Sequence, residues 1–256
     1  MNQAVVAEFI GTAVLLLLGN GVVANVVLQR TKGHDAGWLT ITAGWGMAVF
    51  VAVWCVQDYS GAHINPAVTV GLALAGEFEW SKVGPYIAAQ MLGAFTGSGI
   101  VLAFYYPHFR VTEDAGDKLA CFATSPALRS AGNNLLCELV GTAVLVFAVL
   151  QARSPVISIP SAAEGVTSVH EVGLGTVGAL PVGLLVFAIG MSLGGTTGYA
   201  INPARDLGPR LAHQWLPVPG KSSSDWSYAW IPVAGPLLGA AVAVMLHRLL
   251  GGAPIG

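Results

Sequence analysis

Two short runs hold the residues of this chain whose types and spacing could do chemistry: Asn65-Pro66-Ala67 and Asn202-Pro203-Ala204, the second continuing as Arg205-Asp206. Asn followed by Pro marks a helix start, because the Asn side chain caps the first turn and Pro fits the first helical position. The apolar pieces that follow, Pro66 to Ala75 and Pro203 to Ala212, are too short to cross about 30 Å of hydrocarbon and read as half-spanning helices. A helix N-terminus carries roughly half a positive charge and unpaired amide donors. Two such ends facing one narrow path would repel cations, while Asn65 and Asn202 offer amide hydrogens to a passing oxygen. Ahead of them, Gly61, Ala62, His63 and Ile64 in one loop and Gly198, Ala200 and Ile201 in the other are expected to run extended as a ladder of carbonyl acceptors. Irregular backbone at membrane depth is tolerated only where it lines a cavity or is buried in protein. The chemistry pointed to is passage of a neutral, hydrogen-bonding solute.

The elements that position these residues are apolar. Of 256 residues only 9% are charged and the mean hydropathy is +0.68, against about 25% charged in a soluble domain. Net charge is −2, which points to no nucleic-acid partner. Cys55, Cys121 and Cys137 are scattered and suggest neither a disulfide framework nor a metal site, and no cofactor is expected. Membrane spans are expected over Val5 to Leu28, Leu39 to Val56, Pro85 to Tyr105, Leu135 to Leu150, Val177 to Leu193 and Ala229 to Leu250, with polar loops around 107–133, 151–172 and 213–227. The opening Met-Asn-Gln-Ala-Val-Val lacks a basic region, so the first span is expected to be retained.

The chain repeats itself. Glu8-Phe-Ile-Gly11 returns as Glu138-Leu-Val-Gly141 at an offset of 130, Asn65 as Asn202 at 137, and Gly93-Ala94 as Gly239-Ala240 at 146. Three spans and a half-helix, twice, predict one all-α membrane domain over residues 1–256, with halves of about 1–108 and 132–251 joined by a polar loop. An odd number of spans per half sets the halves in opposite orientations, an inverted repeat. Glu8 and Glu138 fall inside spans, where an acid invites a functional reading. Each could hold loop amides, or both could serve a coupled transporter as proton sites.

Two Asn-Pro-Ala boxes in register with a whole-chain repeat resemble the aquaporin (major intrinsic protein) family, and the match covers essentially the whole chain. The resemblance implies six transmembrane helices, two re-entrant half-helices, a homotetramer with one pore per subunit, and a narrower filter outside the Asn pair. Arg205 matches its arginine, Trp45 the aromatic of the second span, Gly190 the fifth-span position and Tyr199 the loop position. An Arg fork on one wall and aromatic faces on the other suit a polyol, which has one hydroxylated edge and one hydrocarbon edge. Gly190, Asp206 and Pro232 favour the glycerol facilitator (aquaglyceroporin) branch over the water-selective one. Tyr199 departs from the phenylalanine of the best-known bacterial glycerol facilitators and adds a hydroxyl.

The expected function is therefore passive conduction of glycerol, other small uncharged solutes and water, with ions and protons excluded, in the cell membrane. A water-selective pore and an ion-coupled transporter are the alternatives, and no nucleophile–base pair suggests an enzyme. Glu8, Glu138 and Asp206 are expected to support the loops, and His63 to orient the first loop, contact solute or, least of all, bind a metal. His108, His170, His213 and His247 are expected to be solvated, with pH sensing by His170, Glu164 and Glu171 a minor alternative. Gly93-x-x-x-Gly97 and Gly235-x-x-x-Gly239 read as close helix contacts. The family topology places both termini in the cytoplasm. Arg30, Lys32, Arg110, Lys118, Arg129, Arg210 and Lys221 then lie outside, against Lys82, Arg153 and Arg248 inside, the reverse of the positive-inside rule.

Overall fold

Backbone amides in hydrocarbon must find partners within the protein, and the apolar runs satisfy them as helices. The computed structural model describes residues 2–153, 156–160 and 167–251. In chain order the elements are α1 (Gln3–Val27), α2 (Gly37–Ser60), α3 (Pro66–Ala75), α4 (Trp80–Phe104), the short α5 (Tyr106–Val111) and α6 (Ala115–Ala120), and α7 (Ala131–Leu150). There follow β1 (Val156–Pro160), β2 (Thr167–Glu171), a 3-10 turn at Gly175–Ala179, α8 (Leu180–Leu193), α9 (Pro203–Trp215) and α10 (Ile231–Leu249). Six helices, α1, α2, α4, α7, α10 and α8 with its preceding turn, are long and apolar enough to cross a membrane. The expected fold class holds.

The boundaries differ in instructive places. Helix α4 begins at Trp80, ahead of Pro85, which stands inside the helix and leaves the Ser81 carbonyl without its usual amide donor. The loop expected at 107–133 contains α5 and α6, the latter capped by Asp114, whose Oδ1 accepts the Asp117 amide at 2.8 Å. The loop expected at 151–172 carries the antiparallel pair β1–β2, Val156 opposite Glu171 and Pro160 opposite Thr167. Glu164 lies outside the described residues, and for His170 and Glu171 only the backbone is described.

Glycines bring the spans together. A Cβ on Gly93 or Gly97 of α4 would collide with the Phe9 or Ala13 carbonyl of α1. On α10, one on Gly239 would strike the Leu139 carbonyl, and one on Gly235 would lie 2.6 Å from the Glu138 Cβ of α7. Both Gly-x-x-x-Gly pairs are the close crossings expected. A further crossing joins α2 to α8, where Gly46 and Gly183 face one another so closely that a Cβ on either would sit 2.7 Å from the other's carbonyl oxygen. Small residues let backbones approach in a medium that offers no hydrophobic drive between helices. The outward faces carry Leu92, Phe104, Leu136, Val140, Leu184 and Met245, all exposed, as lipid contact requires.

This packing makes a direct prediction. Gly97→Ala should lower the thermal unfolding midpoint of the detergent-solubilised protein, since overpacking costs about 1–3 kcal/mol. Gly84→Ala, where the added Cβ meets nothing within 4 Å, should leave the midpoint unchanged or raise it. Equal midpoints for the two variants would contradict the account.

Candidate functional site: a narrow path between two half-helices

The half-helices begin as their residues dictate. Asn65 is extended (φ −158°, ψ 120°), and its Oδ1 accepts the Ala67 amide at 2.8 Å with Pro66 in the first turn. Asn202 repeats this with the Ala204 and Arg205 amides at 3.0 and 3.1 Å and Pro203 in the first turn. Each Asn also reaches across. Asn65 Nδ2 donates to the Ile201 carbonyl and Asn202 Nδ2 to the Ile64 carbonyl, both at 2.8 Å. Each loop thus ends in an acceptor for the other half's asparagine, and one amide hydrogen on each Asn stays free. The sequence indicated the caps but not the exchange.

Ahead of each Asn the backbone does not run extended as expected but is left-handed at three of four positions: Gly61 (φ 78°), Ala62 (50°) and Ile64 (44°), then Gly198 (79°), Tyr199 (37°) and Ile201 (44°). Such angles cost non-glycine residues of order 1–3 kcal/mol each and persist only where surroundings impose them. The intramembrane acids impose them. Glu8 accepts the His63 and Ile64 amides at 2.9 and 2.7 Å, the Ser60 hydroxyl at 2.6 Å and the Gln90 amide at 2.7 Å. Glu138 accepts the Ala200 and Ile201 amides at 3.0 and 2.8 Å and the Thr197 hydroxyl at 2.7 Å. With the amides turned outward to the acids, Gly61, Ala62, His63, Ile64, Ala200 and Ile201 border a cavity of about 150 Å³. Leu15, Val49, Val68, Leu145 and Val186 form its apolar wall. Gly198, expected in the ladder, does not border this cavity; a Cβ there would lie 3.3 Å from the Thr124 methyl.

Arg205, Trp45 and Tyr199 meet on the same cavity, each less than 10% exposed. The Arg205 guanidinium carbon stands 4.1 Å from the Trp45 ring centre, a contact that holds a desolvated cation in place. Arg205 Nη1 and the Tyr199 hydroxyl are buried with no protein partner. Gly190 does not border the cavity. It lies beneath Tyr199, and a Cβ there would come within 2.8 Å of the ring and 2.9 Å of the Thr42 methyl. Trp38, which sequence reasoning missed, edges onto Tyr199 (centres 5.9 Å apart, planes at 81°) and donates to the Gly190 carbonyl at 3.1 Å.

The model of the major intrinsic protein family matches residues 1–247. The chain belongs to that family. It is 53% identical to a probable glycerol uptake facilitator protein of Thermotoga maritima over 95% of this chain and 97% of that one. It is 49% identical to the glycerol uptake facilitator protein of Streptococcus pneumoniae over 97% of this chain and all of that one. Among solved structures it resembles the aquaglyceroporin of Plasmodium falciparum, with a TM-score of 0.78 and 30% identity over 96% of this chain and 94% of that chain.

Some charged residues of this family member sit elsewhere than its sequence suggests. Asp206, fully buried, does not pair with Arg205. Its Oδ2 accepts the Thr124 amide and hydroxyl at 2.8 and 2.6 Å, and its carboxylate holds Arg210 at 2.8 Å. Arg210, expected as a charge on the outer face, is fully buried and donates to the Thr124, Ser224 and Asp225 carbonyls. The Asp206–Arg210 pair therefore pins the loop before α7 and the loop after α9 against the second half-helix. The spacing of four on one helix was the available signal. His213 and His247 are buried, not solvated, bonded to Ser224 and Gln151, while His108 is half-buried against the Gln29 carbonyl. His63 is wedged between Phe78 and Tyr86 with Nδ1 3.2 Å from the Thr69 hydroxyl.

Several of the cations behind the charge imbalance noted in the sequence are used by the fold itself. Of the seven cations assigned to the outer face, Arg210 is internal and Lys118 donates to the Gly220 carbonyl. Lys221 caps the end of α9 through three carbonyls, and Arg129 pairs with Asp225. Removing one partner of a buried pair costs about 3–5 kcal/mol, whereas replacing both by apolar groups is often neutral. Arg210→Met should therefore lower the thermal midpoint sharply, and Asp206→Leu with Arg210→Met should recover part of the loss. A double variant no more stable than the single one would contradict the paired-charge account.

Proposed function

We propose that the chain is a passive plasma-membrane channel for glycerol and similar small uncharged solutes, with water following the same path and ions and protons excluded. The observation that carries this reading is the set of unspent polar atoms among aromatic rings on the cavity wall. Arg205, its guanidinium stacked 4.1 Å from the Trp45 ring centre, keeps one nitrogen unpartnered, and the Tyr199 hydroxyl is unpartnered beside its own ring. A polyol can turn hydroxyls to these free polar atoms and its carbon edge to the apolar lining of Val49, Val186 and the Tyr199 ring. Deeper in, the free amide hydrogens of Asn65 and Asn202 and the bordering carbonyls hand the solute along, and the two half-helix N-termini oppose cations. Gly190 acts by giving Tyr199 its seat. The names of the Thermotoga maritima and Streptococcus pneumoniae relatives support glycerol as the solute.

Within this reading the domain is one inverted repeat, assembled as a homotetramer with cytoplasmic termini, and it performs no catalysis. The surroundings of Glu8 and Glu138 favour a channel over a proton-coupled transporter. Glu8 accepts four and Glu138 three N–H and O–H donors, mostly from the loop each supports, and neither acid borders the cavity along which a coupled proton would have to travel with the solute.

Liposomes containing the purified protein should reswell in an imposed glycerol gradient well above the protein-free rate, with flux linear in concentration and indifferent to a proton gradient. Glycerol flux at the lipid background, alongside raised water flux, would overturn the assignment. Gly190→His should reduce glycerol flux more than water flux, because the added ring displaces Tyr199 toward Arg205.

A further inference from the structure

Two grooves on the outward faces occupy equivalent places in the two halves. One runs along the C-terminal end of α10 beside the end of α3, with Ala241, Met245, Arg248 and Leu249 on its α10 side and Leu74 opposite, enclosing about 400 Å³. The other runs along the C-terminal end of α4 beside the end of α9, with Phe95, Gly99, Leu102 and Ala103 on its α4 side and Leu216 and Pro217 opposite, enclosing about 540 Å³. These four positions of α4 and the four of α10 are the same four under the repeat offset of 146 that relates Gly93 to Gly239. The ends of the third and sixth spans lie on opposite membrane faces, since three crossings separate them. Each leaflet therefore meets one groove, walled by a span of one half and the half-helix of the other. Ala241 to Leu249 covers eight steps of helix, about 12 Å, a length suited to part of an acyl chain.

The four related pairs differ in charge at one place. Leu102 of the α4 groove corresponds to Arg248 of the α10 groove. Arg248 is exposed, is not among the ion pairs found in the described residues, and spends one nitrogen on the Leu74 carbonyl at 2.7 Å, at the end of α3. Its other donors are open at the mouth of an apolar channel that ends at the membrane face carrying both termini. An apolar trough closed by an unpaired guanidinium complements a phospholipid whose headgroup bears net negative charge. We propose that both grooves seat phospholipid acyl chains, and that Arg248 makes the α10 groove select an anionic headgroup while the α4 groove accepts lipid without regard to charge. Because Arg248 also caps the half-helix that starts at Asn65, the anionic lipid is joined to the pore through one side chain.

The test is native mass spectrometry of the delipidated full-length protein titrated with phosphatidylglycerol or phosphatidylcholine. The unsubstituted protein should retain phosphatidylglycerol about fivefold more tightly, the effect of one cation beside an anionic headgroup. Arg248→Gln, which keeps a donor for the Leu74 carbonyl, should abolish that preference without reducing phosphatidylcholine binding. Ala241→Trp should fill the groove and remove one bound lipid of either kind, with glycerol flux in liposomes serving as the control for folding. A preference that survives Arg248→Gln, lipid counts unchanged by Ala241→Trp, or a change in subunit number on Ala241→Trp, which would make the groove a subunit contact, would each overturn the proposal.

Discussion

Everything at the centre of this molecule depends on two carboxylates placed where carboxylates are costly. A pore lined by backbone carbonyls needs those carbonyls turned to one side, and the peptide geometry then turns amides to the other, into protein and hydrocarbon. An unsatisfied buried amide costs about 1–3 kcal/mol, and left-handed Ala62, Ile64, Tyr199 and Ile201 add strain. Glu8 and Glu138 answer both demands, collecting two backbone amides each. Hydrogen bonds to a carboxylate are the strong kind, which is why an acid stands in each first span where glutamine would leave donors facing donors.

With the loops held, the rest follows in sequence. The loop carbonyls of Ile64 and Ile201 become fixed acceptors for the opposite asparagines, so the half-helices register on one another as well as on their own halves. The second half-helix carries more than the first. Its opening turn supplies Arg205 to the cavity, and Asp206 and Arg210 further along tie down two loops. A residue of the filter and residues of the loop anchor thus share one short helix, with their side chains sent to different places. Tyr199 depends on absent side chains, since Gly190 and Gly194 leave room for its ring.

The fold was largely legible because membrane burial writes itself plainly: six long apolar runs, two short ones after Asn-Pro, and paired glycines at spacings of four. The site was legible where chemistry demands a residue type, as at Asn65, Asn202, Arg205, Trp45, Glu8 and Glu138. It was less so where position depends on packing between distant segments. Gly190 was expected at the filter and instead underlies Tyr199, because the ring from another segment takes the space. Asp206 holds Thr124 of the loop before α7, and its charge partner is Arg210 one turn on, a residue expected on the outer face. Arg210 and His213 looked like surface residues because a loop far along the chain, at Ser224 and Asp225, buries them. The short helices and the strand pair sit in polar segments whose composition reads only as loop.

Whether the acids hold the permeation path is decided by glycerol flux through liposomes carrying Glu8→Gln or Glu138→Gln, measured beside helix content by circular dichroism. Each variant should keep its helix content, because the glycine crossings between spans are untouched, while glycerol flux falls at least about tenfold, the consequence of about 1.4 kcal/mol lost at the loop. Flux equal to that of the unsubstituted protein in either variant would contradict that role for the acids.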